Sequence, residues 1–507
     1  MTRRVNLLIL LLVLWNVPAH AQNLVVQPAA QSPHWAHINI FDYARPLVLA
    51  SLAPADYAWY ADHLDAVEVN GNGATVRGYN PTSKMFSYWF DLSDYQSHDV
   101  SGLSEAGFLH FSENTTLQFW NLAHDTLLDT VNITGCPVTA VSSCRVQTYL
   151  WADSRYLFNL SNSAFRTWQT ARILGSTNVY TGNVDVSDLV WLDEHAPGFS
   201  WPFSFGFQTV IISGGGIKEY GGRKPYNGTL DDTFEADYSA DVTAWLTALR
   251  ASASAASKRV LINTNTEALN TAHNFNDHAP AINGMATEGK HRPDGFTDAA
   301  DYTAWVALAN TITSAGGVVD LSTELCNTGP DGYTAGNYGS AAERFRMWRL
   351  ASYYQFKEPP GSAGVVYFNV GFCSNDTPSV DNHVMDQSAW APAYQVDVGR
   401  PDGVLSVYQT GMVNGCAYTV YARVYTNAMI FVRPKDSESC NTYNDTTSVT
   451  ITCPQAVRIL PYSGDLTGQP LVSSFGIRNA ESVIAMLPAQ TGVVTGTFQA
   501  SGKVVLQ

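Results

Sequence analysis

The chain has 507 residues, of which 45% are hydrophobic and 12% aromatic, and this composition excludes a wholly disordered protein. Its length is typical of about two to four domains. Only 14% of the residues are charged, and 28 basic against 44 acidic side chains give a net charge of −16. Nucleic-acid binding requires a basic surface, so no nucleic-acid partner is expected.

The first residues match a secretory signal peptide. Two arginines precede an apolar run from Leu7 to Trp15, and Ala19 and Ala21 are the small residues that a signal peptidase reads. We therefore expect residues 1–21 to be removed and the protein to be secreted or periplasmic. A membrane anchor is the alternative, but the apolar run is shorter than the roughly 20 residues that span a bilayer, and we expect no membrane association after cleavage.

After a polar lead-in at residues 22–45, short apolar segments rich in Val and Ile alternate with longer amphipathic segments. The apolar segments predict strands at Leu47–Ser51, Asp65–Val69, Met85–Phe90, Asp188–Leu192, Arg259–Asn263, Ile282–Ala286, Gly317–Leu321 and Val365–Val370. The amphipathic segments predict helices at Pro54–His63, Ser163–Leu174, Ala236–Ala256, Asp298–Ser314 and Ala341–Phe356.

Strands that alternate with helices indicate parallel βαβ units, and eight such strands favour a (β/α)₈ TIM barrel, an α/β fold. The barrel would occupy residues 46–390, with large insertions after strands three and four. An open doubly wound sheet is the alternative, but no glycine-rich phosphate-binding loop follows the first strand. Gly214, Gly215 and Gly216 lie in the second insertion, and we interpret them as a flexible turn.

Residues 395–507 lack comparable helical periodicity. They contain β-rich segments separated by Gly, Pro and Asn, at Gly403–Tyr408, Ala417–Tyr425, Ala428–Val432, Ser448–Ile451, Ala456–Leu460 and Gly492–Phe498. This pattern predicts a small antiparallel β-sandwich packed on the barrel as an accessory domain.

The seven cysteines are typical of an exported protein, and their odd number leaves one thiol unpaired. One pairing compatible with their positions is Cys136–Cys144, Cys326–Cys373 and Cys440–Cys453, with Cys416 left over, although spacing does not fix the connectivity. No cluster of cysteine and histidine has the spacing of a zinc site, so neither a metal nor a cofactor is expected.

Acidic residues stand where several predicted strands end. Strand four ends in Asp193, and Glu288 follows strand six. Catalytic groups of (β/α)₈ barrels project from the carboxyl ends of the strands, and glycosidic cleavage uses two carboxyl groups. One protonates the leaving oxygen, while the other attacks the anomeric carbon or activates water. We predict Asp193 as the nucleophile or base and Glu288 as the general acid.

Other side chains near the same ends are candidates for binding a sugar, which presents hydroxyl groups and apolar C–H faces. They are Glu194, His195, Glu68, Trp89, His110, Trp201, Asn263 and Glu324. Asp320 on strand seven is a further acidic candidate. A structural role is the alternative for each of them. Asp193, for example, could cap a turn, and Glu288 could pair with the nearby Lys290.

A family resemblance is carried by short segments along most of residues 46–500. These segments are Tyr57–Ala61, Asp65–Val69, Tyr79–Pro81, Gly107–His110, Asn159–Asn162, Phe165–Trp168, Trp191–Glu194, Glu288, Arg346–Tyr354, Tyr421–Tyr425 and Leu487–Pro488. They resemble parts of uncharacterised glycoside-hydrolase barrels with a C-terminal β-domain. The resemblance implies a glycosidase with Asp193 on the aspartate-bearing strand and Glu288 as the acid after strand six. The chain departs from the pattern in the insertion at 195–237 and in its cysteines.

The expected function is therefore an exported glycoside hydrolase that acts on a polysaccharide or an oligosaccharide. Two other classes remain open. A non-catalytic glycan-binding protein could use the same scaffold. A metal-dependent barrel hydrolase or lyase would need histidine and carboxylate ligands from several strands, and the sequence offers His110, His195 and His291.

Overall fold

The computed structural model describes most of the central and C-terminal parts of the chain. The described residues are 39–42, 54–63, 65–68, 73–81, 84–90, 93–95, 100, 102–121, 126–136, 142–150, 153–175, 188–193, 207–224, 232–263, 283–287, 291–293, 295–321, 340–369, 392–436 and 447–488. The signal peptide, the strand expected at Leu47–Ser51 and the strand expected at Gly492–Phe498 lie outside them.

Eight described strands pair side by side in parallel, and their pairings close into a ring. In chain order they are β1 (Asn39–Asp42), β2 (Ala66–Glu68), β3 (Lys84–Phe90), β9 (Leu189–Asp193), β11 (Arg259–Asn263), β12 (Gly284–Ala286), β13 (Val318–Leu321) and β14 (Val365–Asn369). Neighbours in the ring are also neighbours in this order, and β14 pairs with β1. The predicted parallel α/β arrangement is confirmed for these strands.

Six described helices each lie between one strand of the ring and the next strand of the ring. They are α1 (Pro54–His63), α2 (Gly73–Tyr79), α3 (Ser163–Leu174), α4 (Asp232–Ala255), α5 (Ala299–Ser314) and α6 (Ser340–Phe356). Each of the five predicted helices is present, and α2 is an addition. Side chains cap two of the N-termini, since Asn162 accepts hydrogen bonds from the backbone at the start of α3 and Asp298 does so at α5.

The first strand of the ring differs from the sequence prediction. It is Asn39–Asp42, which lies in the segment expected to be a lead-in. The prediction favoured the uninterrupted apolar run at Leu47–Ser51 because such runs are typical of buried strands. A four-residue strand with a polar residue at each end gives no such signal, and its pairing with β14 and β2 stabilises it instead.

Insertions follow the third and fourth strands of the ring, as predicted. The first contains β4 (Ser93–Tyr95), β5 (Thr115–Asn121), β6 (Thr126–Ile133), β7 (Gln147–Leu150) and β8 (Asp153–Leu157), and the second contains β10 (Phe207–Ser213). β10 pairs antiparallel with β5, which continues to β6, so the two insertions share one sheet. A second sheet has the order β4-β8-β7.

The glycine run after β10 is closely packed, and the expectation of a flexible turn there was wrong. A Cβ atom on Gly214 would lie 2.2 Å from the carbonyl oxygen of Asn114, and one on Gly216 would lie 2.3 Å from that of Gly222. Ser112 donates its backbone N–H to the carbonyl of Gly216 at 2.7 Å. The glycines therefore allow the two insertions to approach each other at the backbone.

The C-terminal part forms one six-stranded antiparallel sheet. Its order is β15 (Ser406–Val413), β16 (Cys416–Val424), β17 (Ala428–Arg433), β20 (Glu481–Met486), β18 (Ser448–Ile459) and β19 (Val472–Arg478). The antiparallel prediction is confirmed for these strands, and the register of β18 shifts between Thr452, which pairs with β19, and the residues that pair with β20. Tyr408 and Phe475, from the two edge strands, each lie edge-on against Phe431 on the central strand, so the sheet curls over a core of its own.

A buried arginine attaches this sheet to the C-terminal end of helix α6. Arg423 on β16 is 2% exposed, and its guanidinium donates hydrogen bonds to four backbone carbonyls at the C-terminal end of α6. These carbonyls belong to Tyr354, Gln355, Lys357 and Glu358. The last carbonyls of a helix have no partner within the helix and carry its negative dipole end, which favours a cation there.

The disulfide pattern confirms one predicted pair and contradicts another. Cys136 and Cys144 are bonded, as expected. Cys453, which was expected to pair with Cys440, is a buried free thiol, and Cys416, expected to be left over, takes part in a disulfide. The pair was expected because Cys440 and Cys453 flank a turn-rich stretch. That expectation was wrong, since β18 buries the Cys453 thiol in the core of the sheet.

Among the helices that the structure describes, none combines the length and the apolar character needed to cross a bilayer.

We expect Arg423→Met to reduce the free energy of unfolding by about 3–5 kcal/mol, because several buried carbonyls would lose a charged donor together. Arg400→Met is the matched control, since Arg400 is 68% exposed and its pair with Asp402 is at the surface. Urea denaturation followed by circular dichroism measures both. Equal stability of the two variants would contradict the attachment by Arg423.

Candidate active site at the carboxyl ends of the ring

The interior of the ring is filled by side chains from different strands. Leu189 and Trp191 of β9, Leu261 of β11, Ala286 of β12 and Val318 of β13 belong to one buried cluster. Alternate residues of the same strands, such as Val190 and Leu192, pack instead with the helices. This alternation defines which positions face the interior and which face the helices.

Three predicted site residues are the last residues of ring strands. Glu68 ends β2, Asp193 ends β9 and Asn263 ends β11. All ring strands are parallel, so these residues lie at the same edge of the sheet. Asn263 follows Leu261 by two residues and is 3% exposed. The sequence therefore placed these three residues at the carboxyl edge, where a barrel enzyme binds its substrate.

The pairing register relates the ends of strands four, five and six of the ring. Leu192 pairs with Ile262, so Asp193 and Asn263 are next to each other one residue later. Asn263 pairs in turn with Ala286, the last residue of β12. Thr287 follows and is 1% exposed, and Glu288 is the next residue in the sequence.

Five of the predicted site residues are not among the residues that the structure describes. They are Glu194, His195, Trp201, Glu288 and Glu324. Trp89 is the second-last residue of β3, where its backbone pairs with Leu192 of β9.

His110, predicted to bind sugar, lies in a network of charged side chains within the insertions. It is 4% exposed, and both of its ring nitrogens face carboxylates. Nδ1 lies 2.8 Å from Oε1 of Glu219, and Nε2 lies 3.1 Å from Oε1 of Glu105. Arg145 donates to both oxygens of Glu105, at 2.7 and 2.5 Å, and stacks over Phe108. The imidazole therefore joins the two insertions, and both of its nitrogens already have partners.

The charges of this network shift the pKa of two members. Burial lowers the pKa of His110, but its hydrogen bonds to Glu219 and Glu105 and their negative charges raise it more, and the pKa lies above its usual value. Burial raises the pKa of Glu105, while Arg145 and His110 lower it more strongly, and the net shift is downward. Both shifts favour the charged pair.

Two interior residues near the carboxyl edge carry polar groups that the sequence did not rank highly. Asp320 on β13 is fully buried and pairs with Ala286 on one side and Tyr367 of β14 on the other. Tyr367 belongs to the interior cluster, and burial raises the pKa of its hydroxyl. Asp320 and Tyr367 each lie two residues after a valine of the interior cluster, Val318 or Val365, and side chains two residues apart on a strand share a face. This spacing is the sequence signal that could have identified them.

Within the described part of the chain, no three His, Cys, Asp or Glu side chains are grouped so that they could hold a metal ion. His291, one of the histidines considered as a ligand, is 1% exposed and lies among the rings of Trp348, Phe356 and Phe368. Burial lowers its pKa well below the usual value, so the ring is neutral.

Comparison with known proteins shows no match to any family model. No curated protein matches the sequence either. Among solved structures, a maltogenic α-amylase from Thermotoga neapolitana is similar over 89% of this chain and 98% of its own, with 8% identity and a TM-score of 0.45. An α-amylase from Lactobacillus plantarum is similar over 89% and 99%, with 10% identity and a TM-score of 0.42.

The α subunit of glucosidase II is similar over 92% of this chain and 45% of its own, with 10% identity and a TM-score of 0.37. These TM-scores are all below 0.5.

The raised pKa of His110 predicts how stability depends on pH. Its contribution is complete below the pKa of an unfolded histidine, about 6.5, and is lost as the pH rises through the higher pKa of the folded protein. We expect His110→Gln to cost about 1–3 kcal/mol of unfolding free energy at pH 5.5, and less at alkaline pH. Urea denaturation of both proteins across this range measures the difference. A difference that stays constant with pH would contradict a charged His110.

Proposed function

We propose that the protein is a glycoside hydrolase that uses Asp193 and Glu288 as its two catalytic carboxyl groups. The observation that carries the proposal is the position of Asp193. It is the last residue of the fourth strand in a closed parallel ring, two residues after Trp191, whose side chain fills the interior. Asp193 therefore stands at the carboxyl edge of the ring, where (β/α)₈ enzymes carry their catalytic groups.

The spacing of the strands supports a pair formed with Glu288. Strands four and six of the ring are separated by one strand, β11, and neighbouring strands lie about 4.8 Å apart. Their backbones are thus about 10 Å apart, and side chains that converge on the interior would lie closer. The two carboxyl groups of glycosidases lie about 5–9.5 Å apart, which this arrangement can provide.

In the proposed reaction, Glu288 donates its proton to the glycosidic oxygen, which leaves with the bonding electron pair. Asp193 either attacks the anomeric carbon, after which a water molecule that gives its proton back to Glu288 hydrolyses the glycosyl-enzyme, or it removes a proton from a water molecule that attacks this carbon. In the second route, proton exchange with solvent restores the acid form of Glu288 and the anionic form of Asp193. In both routes one water molecule is consumed. Its oxygen becomes the hydroxyl group on the anomeric carbon, and the leaving group gains a hydroxyl group by protonation of the glycosidic oxygen. Which route applies depends on the separation of the two carboxyl groups.

The insertions support a carbohydrate substrate longer than one sugar. They begin after strands three and four, at the same edge as Asp193, and the shared β10-β5-β6 sheet joins them. A complete (β/α)₈ barrel, with the ring of parallel strands at its centre, is part of the same proposal. The walls beside its mouth would enclose part of an oligosaccharide or polysaccharide chain.

Export from the cytoplasm is part of the same proposal. The predicted signal peptide at residues 1–21 supports it, and so does the Cys136–Cys144 disulfide, because such bonds persist in oxidising compartments.

The proposal is tested with Asp193→Asn and Glu288→Gln. We expect each to lower kcat/KM by about 10²–10⁴-fold, because each removes a carboxyl group needed in the transition state, while Tm changes little. The substrates are a panel of 4-nitrophenyl α- and β-glycosides and neutral oligosaccharides, with product release followed by absorbance or by reducing ends.

Asp402→Asn is the matched control, since Asp402 is half exposed on the C-terminal part of the chain and should keep full activity. Full activity of Asp193→Asn would overturn the assignment. Binding of a glycan by the unmodified protein without any bond cleavage would instead favour the non-catalytic class, and loss of activity with a chelator would favour a metal-dependent enzyme.

A further inference from the structure

The sequence contains six asparagines in the tripeptide pattern Asn-X-Ser/Thr, in which X is not proline. In exported proteins, an asparagine in this pattern can carry an N-linked glycan, which is bulky and must lie at the surface. The structure describes Asn114, Asn132 and Asn159, whereas Asn227, Asn375 and Asn444 lie outside the described residues. The pattern does not distinguish the three described asparagines, but the surroundings of their side chains do.

Asn159 is buried, and both ends of its amide are used inside the protein. It is 6% exposed, its Nδ2 donates to the carbonyl of Ala106 at 3.0 Å, and its Oδ1 accepts the hydroxyl of Ser161 at 2.6 Å. A sugar on Nδ2 would have to replace this packing and leave a buried carbonyl without its donor, at a high cost. The folded structure therefore excludes a glycan at Asn159.

Asn132 has the opposite surroundings. It lies on β6, which is an edge strand of the sheet that the two insertions share. Asn132 and Thr134, the two residues that define the pattern, are both exposed, while Ile133 between them is 3% exposed. Because successive side chains of a strand point to opposite faces, the asparagine and the threonine share the outer face of the sheet.

A hydrogen bond orients the amide of Asn132. Thr116 is its partner in the register of β5 and β6, and the Thr116 hydroxyl donates to Oδ1 of Asn132 at 2.9 Å. With the oxygen turned toward β5, Nδ2 faces away from β5, and it has no hydrogen-bond partner among the described residues. N-glycosylation uses Nδ2 and leaves Oδ1 in place, so the bond with Thr116 can persist in the modified protein.

Asn114 is exposed as well, but its surroundings are more closely packed. Its Oδ1 accepts the backbone N–H of Cys136 at 2.9 Å, and Cys136 belongs to the disulfide. A Cβ atom on Gly214 would lie 2.2 Å from the carbonyl oxygen of Asn114, so the second insertion contacts the backbone there. Asn132, on the edge strand, is thus the more open of the two exposed sites.

We propose that Asn132 is a site of N-linked glycosylation. This inference rests on the export that forms part of the proposed function. The donor would be an oligosaccharide linked to a lipid pyrophosphate. Nδ2 of Asn132 attacks C1 of its first sugar, the bond from C1 to the pyrophosphate oxygen breaks, and the lipid pyrophosphate leaves with the bonding electron pair. The amide nitrogen loses one proton and keeps the other.

A glycan at this position would also protect the edge of the sheet. Among the described strands, only β5 pairs with β6, and Asp129 is the one charged residue of β6. Leu127 on the same strand is 41% exposed. An edge strand with few charges can pair with the edge of another chain, and a bulky hydrophilic group beside it hinders such pairing.

The test expresses the full chain, with its own signal segment, in a eukaryotic secretory host and compares it with Thr134→Ala and Thr134→Ser. Peptide N-glycosidase F converts a glycosylated asparagine to aspartate, so mass spectrometry of the digested protein locates the site. We expect a glycan at Asn132 in the unmodified protein and in Thr134→Ser, which keeps the pattern, and none at Asn132 in Thr134→Ala. Since Thr134 is exposed, all three proteins should have the same Tm within a few degrees.

Asn159 is the internal control, since it has the same pattern in a buried position and should be unmodified in every variant. A secreted protein with an unmodified Asn132 would overturn this inference and leave the proposed glycosidase untouched. A glycan at Asn132 that persists in Thr134→Ala would also overturn it, because the modification would not depend on the pattern. Retention of the chain inside the cell with its first 21 residues uncleaved would overturn export and this inference together. The mass measurement does not use enzymatic activity, so an inactive protein does not alter its outcome.

Discussion

Closure of the ring depends on a strand of four residues. β1 pairs with β14 through Asn39, Ile40 and Phe41, and with β2 through Phe41 and Asp42. Without these pairings the remaining strands would form an open sheet with two unpaired edges, and their carboxyl ends would lie along a line. Closure brings those ends around one mouth. The proposed two-carboxyl reaction depends on this constraint, although β1 itself supplies no proposed catalytic group.

Sequence periodicity predicts the elements whose burial depends on their own residues. β11 has the predicted bounds because four consecutive apolar or buried positions follow Arg259. α3 also has its predicted bounds, because Asn162 caps it and its apolar residues recur at helical spacing. β19 and β20 were missed, since their serine, glycine and glutamate residues weaken the apolar pattern. Pairing with β18 and β17 makes them strands, and such pairing is not readable from one sequence.

The residues of the candidate site also differ in how far the sequence predicts their positions. Asp193 and Asn263 end their strands as expected, because a residue at the end of a predictable strand inherits its position. The surroundings of His110 were not predictable, since Glu219 is 109 residues away in the chain and belongs to the other insertion. The residues next to a histidine in the sequence do not show whether its side chain lies between two carboxylates or faces solvent. Its role is decided by long-range contacts.

The arginine at the end of α6 bears on how the two parts of the chain are related. Arg423 comes from the sheet, while the carbonyl groups it binds come from the helix between the last two strands of the ring. Tyr425 and Gln355 add hydrogen bonds across the same boundary, in opposite directions. A protein shortened to the ring alone would expose this helix terminus, so the sheet is not a detachable module. Recombination that exchanged it for an unrelated domain would have to supply a replacement cation at the same place.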